Sequence, residues 1–173
     1  LLAYELTMNP DVQQKLYNEI IKTTEKFDAE VTYDAIMSMK YLDNVLNEAL
    51  RLHPPTAIID RMATSDYIIE PELPGEKKLY IEKGTLIWIL QKSIQIDSKY
   101  FHNPHKFDPD RFNEDNKHNI EPYTFMPFGT GPKSCIGLRY GMFEVKLIIV
   151  NLLLNYELLP TEKTKVANSS NTY

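Results

Sequence analysis

The 173-residue sequence has one cysteine, one tryptophan and no long uncharged apolar run. A single thiol cannot close an internal disulfide, so an oxidising secretory environment is neither required nor supported. Because no run reaches about 18 uncharged apolar residues, the stretch reads without a membrane span, and its first residues lack the pattern of a signal peptide. Basic charge is also short: 19 Lys and Arg against 24 Asp and Glu give a net charge of −5, which argues against a nucleic-acid surface. There is no initiator methionine, and LLAYELTM at residues 1–8 begins inside an apolar helical pattern. A fragment of a longer chain is the expectation. What remains, 43% apolar and 25% charged residues, suits one globular core.

Periodicity supplies the elements. Residues 1–8 read as the end of an apolar helix. Asn9 and Pro10 restart the chain, Asn9 as an N-cap and Pro10 at the first helical position, where its missing N–H costs nothing. Val12, Leu16, Ile20 and Phe27 then predict an amphipathic helix over residues 10–27. A short helical turn is expected over residues 32–39. The helix over residues 41–53 is the most regular, with Leu42, Val45, Leu46, Ala49, Leu50 and Leu52 on one face opposite Asn44, Asn47 and Arg51. Pro54 and Pro55 end it. Strand patterns follow in DYIIE and KLYIEKGTLIWIL, with a turn at Glu82, Lys83 and Gly84. Residues 97–124 read as a long coil, functional if ordered. A helix over residues 136–156 is apolar nearly all round and predicted to be buried. A polar tail follows Pro160. The fold class is mostly α with a small β-sheet, an α-rich α+β arrangement.

The one cysteine, Cys135, lies in FMPFGTGPKSCIG, between Gly-rich turns and the last helix. A buried structural thiol is one reading, since free cysteine is often buried. A nucleophilic thiol needs a base, and the four histidines carry no local signature. Zinc fails on ligand count, because HNPH at 102–105 holds its two histidines in a proline loop with no second cysteine. A haem-iron thiolate meets three requirements together: glycines let the backbone approach a flat macrocycle, loop N–H groups can bond the sulfur, and the helix dipole favours its charge. On chemistry alone the haem and structural readings stand level. GTGPKS is no phosphate loop, for it lacks the Gly-Lys-Ser/Thr order and Pro132 removes an N–H. Glu48 and Arg51, spaced i,i+3, read by themselves as a solvated pair worth a few tenths of a kcal/mol. Spacing cannot say whether Arg111 joins them. Arg61 and Lys133 are cations able to meet haem carboxylates, or plain surface charges.

EALR at 48–51, FDPDRF at 107–112 and FGTGPKSCIG at 128–137 stand in that order. Together they resemble the three C-terminal signatures of the cytochrome P-450 family, the haem-thiolate monooxygenases, over about residues 1–164. The style of YLDNVLNEALRLHPP and HNPHKFDPDRF is most similar to insect detoxification-type microsomal members. The resemblance implies the C-terminal part of that fold: the end of the long distal helix, the ExxR helix, a small sheet, a meander coil, the cysteine-ligand loop and a long proximal helix. Residues 1–173 would then be one haem-binding portion of a single domain.

By the same resemblance Cys135 matches the axial thiolate, which pushes electron density onto iron. Phe128 packs beside it, and Gly129, Gly131 and Gly137 permit the loop's bulge and the close approach of haem b. Glu48, Arg51 and Arg111 match a buried Glu-Arg-Arg cluster, which reverses the surface-pair reading. Arg61 matches a cation that binds a haem propionate. Lys133 stands where the family usually has Arg, keeping the charge but losing the bidentate fork, so weaker haem binding is expected there. Thr56, Ala57, Ile58 and Ile59 match a wall of the substrate pocket. The implied activity inserts one atom of dioxygen into an apolar small molecule, with electrons from NADPH through a flavoprotein reductase that docks by cations such as Lys133 and Arg139. The implied location is the cytosolic face of the endoplasmic reticulum membrane, through an N-terminal anchor. That anchor, and the family's oxygen-activating helix with its acid and threonine, fall outside this stretch, so the alternative is a truncated product that keeps the ligand loop without the chemistry. A thiol-dependent hydrolase using Cys135 is the remaining rival. VANSSNTY departs from the hairpin expected at the end, and Asn168, Ser169 and Ser170 form a short glycosylation pattern. In isolation the apolar faces at 42–52 and 147–154 are expected to be partly exposed.

Overall fold

The computed structural model describes residues 1–28 and 30–164; VANSSNTY, with its Asn168 pattern, lies outside the described residues. Six helices carry the described structure: α1 (Leu2–Met8), α2 (Pro10–Lys26), α3 (Tyr33–Ser38), α4 (Lys40–Leu52), α5 (Gln91–Gln95) and α6 (Leu138–Asn155). Four short strands, β1 (Ile59–Met62), β2 (Tyr67–Ile69), β3 (Leu79–Ile81) and β4 (Leu86–Ile89), lie between α4 and α5. The expected class, mostly α with a small β-sheet, is what forms.

Apolar residues spaced three and four apart build the core. Val12, Leu16 and Ile20 of α2 meet Leu42, Val45, Ala49 and Leu52 of α4, while Ile149, Val150 and Leu153 of α6 close the cluster. The helix α6 departs from the expectation of full burial: only a stripe of Lys146, Ile149, Val150 and Leu153 is buried, and Tyr140, Val145 and Ile148 face outward. Its buried lysine is paired, Nζ lying 2.6 Å from Asp43 Oδ1 on α4. Among the described residues no helix is long and apolar enough to cross a membrane.

The helix ends show how the elements are tied. Asn9 occupies the N-cap position of α2 but makes no side-chain cap; its Nδ2 instead donates back to Glu5 O at 2.8 Å. With φ −128° and ψ 75°, Asn9 closes α1 instead. Thr32 does cap α3, accepting from Ala35 N at 3.2 Å. The start of α4 has Met39, which cannot cap, and Glu19 of α2 supplies the acceptor from outside, taking Tyr41 N and Leu42 N at 2.8 Å each. At the other end of α4, His53 Nε2 lies 2.6 Å from Glu5 Oε1 on α1.

The strands form two antiparallel ribbons, β1 with β4 (Ile59 opposite Ile89, Met62 opposite Leu86) and β2 with β3 (Tyr67 opposite Ile81). The turn at Glu82, Lys83 and Gly84 therefore passes the chain from one ribbon to the other, with Gly84 at φ +89°. The long coil is ordered by 3-10 turns at Pro109–Phe112 and Lys117–Asn119, and a third turn, Gly131–Lys133, lies in the cysteine loop.

Candidate functional site

The coil owes its order to α4. Glu48 and Arg51 are both fully buried, and their pair is bidentate: Nε to Oε2 at 2.7 Å and Nη2 to Oε1 at 2.8 Å. Both lie on the side of α4 that the periodicity left polar, and the coil covers that side. Glu48 Oε1 also accepts Asp108 N at 2.9 Å and Arg111 Nε at 3.3 Å. Arg51 donates to Gln95 O at 2.7 Å and Lys106 O at 3.3 Å, with its guanidinium 5.1 Å from the Phe101 ring centre. Arg111 Nη2 reaches Asn103 O at 2.8 Å. One carboxylate and two guanidinium groups thus fix three points of the coil's backbone, at Asn103, Lys106 and Asp108, and the end of α5 at Gln95. Each buried charge has a partner, which burial demands.

The cysteine loop follows the coil. Gly129 N bonds Met126 O and Cys135 N bonds Phe128 O, both at 2.9 Å, and Ser134 N closes the 3-10 turn on Gly131 O at 3.0 Å. Gly129 and Gly131 have φ of +71° and +72°, left-handed backbone that favours glycine. A Cβ on Gly129 would lie 3.5 Å from Arg61 Nη2, an ordinary contact, so the backbone conformation and not space calls for glycine there. Cys135 is exposed, which removes the buried structural reading. The N–H groups of Gly129, Ser134 and Cys135 are thus taken by loop carbonyls.

Cys135 opens onto a cleft of about 370 Å³, bordered by Phe128, Gly129 and Lys133 of its own loop and by Thr56, Ile58, Ile59, Asp60 and Arg61 from β1 and the turn before it. Eight of the residues singled out from sequence therefore share one cleft. Ala57, Gly131 and Gly137 are not on its wall; Ala57 O accepts Lys92 N at 3.1 Å, and Gly137 caps α6 beside the thiol. Among the described residues no histidine borders the cleft to serve a nucleophilic thiol, and no cluster of His, Cys, Asp and Glu is set to hold a metal ion.

The donor set fits haem. An accessible sulfur stands with two cations, Arg61 and Lys133, for carboxylates, and with apolar walls from Phe128, Ile58 and Ile59 for a macrocycle. A larger cavity of about 710 Å³, between α2 and the chain after α6, carries no such chemistry.

Sequence reasoning missed Gln95, fully buried between Arg51 and the cysteine loop. A glutamine in a five-residue helix without periodicity gives no signal. It missed Asn103 and Lys106 too, because both act through backbone carbonyls.

The family model described as Cytochrome P450 matches residues 2–173. Among curated relatives, cytochrome P450 9e2 of Blattella germanica is 44% identical over 165 residues, covering 95% of this chain and 30% of its own length. Probable cytochrome P450 9f2 of Drosophila melanogaster is 44% identical, covering 94% of this chain and 31% of its own. Cytochrome P450 3A25 of Mus musculus is 42% identical, covering 96% and 31%. The chain thus spans about a third of the length of the curated relatives it matches.

Proposed function

The chain belongs to the cytochrome P450 family, and from that membership we propose that the protein is a haem-dependent monooxygenase in which residues 1–173 are part of one haem-binding domain. One atom of dioxygen enters an apolar small molecule and the other leaves as water, with two electrons from NADPH delivered through a flavoprotein reductase. The single observation that carries this is the exposed Cys135 thiol in a cleft shared with Arg61 and Lys133.

Haem b, when bound, supplies dioxygen activation at its iron. The chain's own residues hold and orient it. Cys135 gives the sulfur ligand, Arg61 and Lys133 pair with the two carboxylates, and Phe128 packs against the macrocycle. Gly129, Gly131 and Gly137 let the loop backbone come close to the macrocycle. Thr56, Ile58 and Ile59 face the substrate and exclude water from it, while Ala57 ties that segment to α5 through Lys92 N. Glu48, Arg51 and Arg111 bind no substrate; they fix the coil that leads into the loop. Lys133 and Arg139 steer an acidic reductase. Family membership supports association with the cytosolic face of the endoplasmic reticulum membrane.

The test is turnover of the full-length protein with reductase, NADPH, an apolar substrate and isotopically labelled dioxygen. One labelled oxygen per product, dependent on NADPH, is expected. Label drawn from water would overturn the reading.

A further inference from the structure

The sequence PP at 54–55 creates a problem at the end of α4. In a continuing helix the carbonyls of Leu50 and Arg51 would accept the N–H groups of residues 54 and 55. Both positions are proline, and neither has an N–H. The two carbonyls are nonetheless satisfied, because Gln95 Nε2 donates to Leu50 O at 3.2 Å and to Arg51 O at 2.9 Å. The same side chain turns its Oε1 the other way, where it accepts Met126 N at 3.1 Å. Gln95 is fully buried, and its backbone carbonyl takes Arg51 Nη1 at 2.7 Å.

We infer that Gln95 is a positioning residue for the Cys135 loop, joining the proline-ended helix α4 to the loop backbone at Met126. This rests on the haem-thiolate reading above. From Met126 the connection continues: its carbonyl accepts Gly129 N, and Phe128 O accepts Cys135 N. The glutamine amide fits because it carries donors and an acceptor on one planar group at this reach. A carboxylate in its place would face two carbonyls with no donor, and a thioether would orphan two carbonyls and an N–H together. The neighbour Gln91, equally buried in α5, has neither side-chain atom hydrogen-bonded. It is a matched control for loss of a buried amide.

The experiment uses full-length, haem-loaded protein and the variants Gln95→Met, Gln95→Glu, Gln95→His and Gln91→Met. Two readouts are taken: the absorption of the reduced carbon monoxide complex, which reports the thiolate ligand, and the rate of haem loss to a scavenging protein. The parent and Gln91→Met are expected to show the red-shifted thiolate band with equal haem retention. Gln95→Met and Gln95→Glu are expected to lose much of that band and to release haem about tenfold faster or more, from the unpaired carbonyls and N–H. Gln95→His keeps one donor and one acceptor, and recovers part of the band. Gln95 variants that match the parent, a Gln91→Met variant as damaged as Gln95→Met, or a Gln95→His variant no better than Gln95→Met would each overturn the inference while leaving the haem reading intact. A parent with no thiolate band would overturn both.

Discussion

Glu48 accepts four hydrogen bonds at full burial, two from Arg51, one from Asp108 N and one from Arg111. Its removal strands the Arg51 charge, which has no water to turn to. Glu48→Ala should therefore cost about 3–5 kcal/mol or prevent folding. Arg111→Ala leaves Glu48 with its other three bonds and should cost about 1–3 kcal/mol. Urea denaturation of the full-length protein checks the order, and a larger loss in Arg111→Ala would contradict it. Tyr41 offers a different test. Burial, then the carboxylates of Asp110, Asp11, Asp108 and Glu19, push its hydroxyl far above its ordinary value of 10.0. The fold prefers the protonated form. That contribution is whole below pH 10.0 and is lost as rising pH ionises the tyrosine of the unfolded chain but not the folded one. Tyr41→Phe should lose less stability than the parent across that alkaline range, in melts followed by circular dichroism. Equal losses would mean the hydroxyl is not held neutral.

At the scale of elements, the contact between α6 and α4 through Lys146 and Asp43 is lopsided. The lysine side chain is 2% exposed and the aspartate 40%. Asp43→Ala leaves a buried charge without a partner, whereas Lys146→Met removes that charge and lets Asp43 hydrate. The first should destabilise by about 3–5 kcal/mol and the second should be near neutral. Thermal melts of the two variants decide it; the reverse order would show that Lys146 is hydrated. This lysine also marks what the sequence made legible. The helices α2, α4 and α6 followed from their apolar spacing, and Cys135 from its loop chemistry and the three motifs. By contrast β1 and α5 were not seen, since IDRM and QKSIQ are too short and too polar to set a period. Apolar spacing alone misplaces residues whose burial is decided by distant chain, although the resemblance implied the buried Glu-Arg-Arg cluster that forms. Arg51 lies on the polar side of α4 and becomes core because the end of α5 at Gln95 and the coil up to Asp108 cover that side. In α6, an all-round apolar pattern suggested full burial, yet among the described residues only one stripe is buried.

For the molecule as a whole, the described residues bury one core but leave Tyr140, Ile148, Trp88 and Leu159 exposed, and Ile136 stands fully in the open beside Cys135. Surface of that kind binds hydrophobic dyes. The 173-residue chain produced alone should raise the fluorescence of such a dye well above that of the full-length, haem-loaded protein; equal signals would contradict the exposed surface. The family, the cleft and the hydrogen bonds that lead from α4 to the loop all converge on one sulfur. The most direct measurement is the absorption of the reduced carbon monoxide complex of the full-length protein, compared with its Cys135→Ala variant. The account predicts a red-shifted thiolate band in the parent and none in the variant; a variant that keeps the band would show that Cys135 is not the ligand.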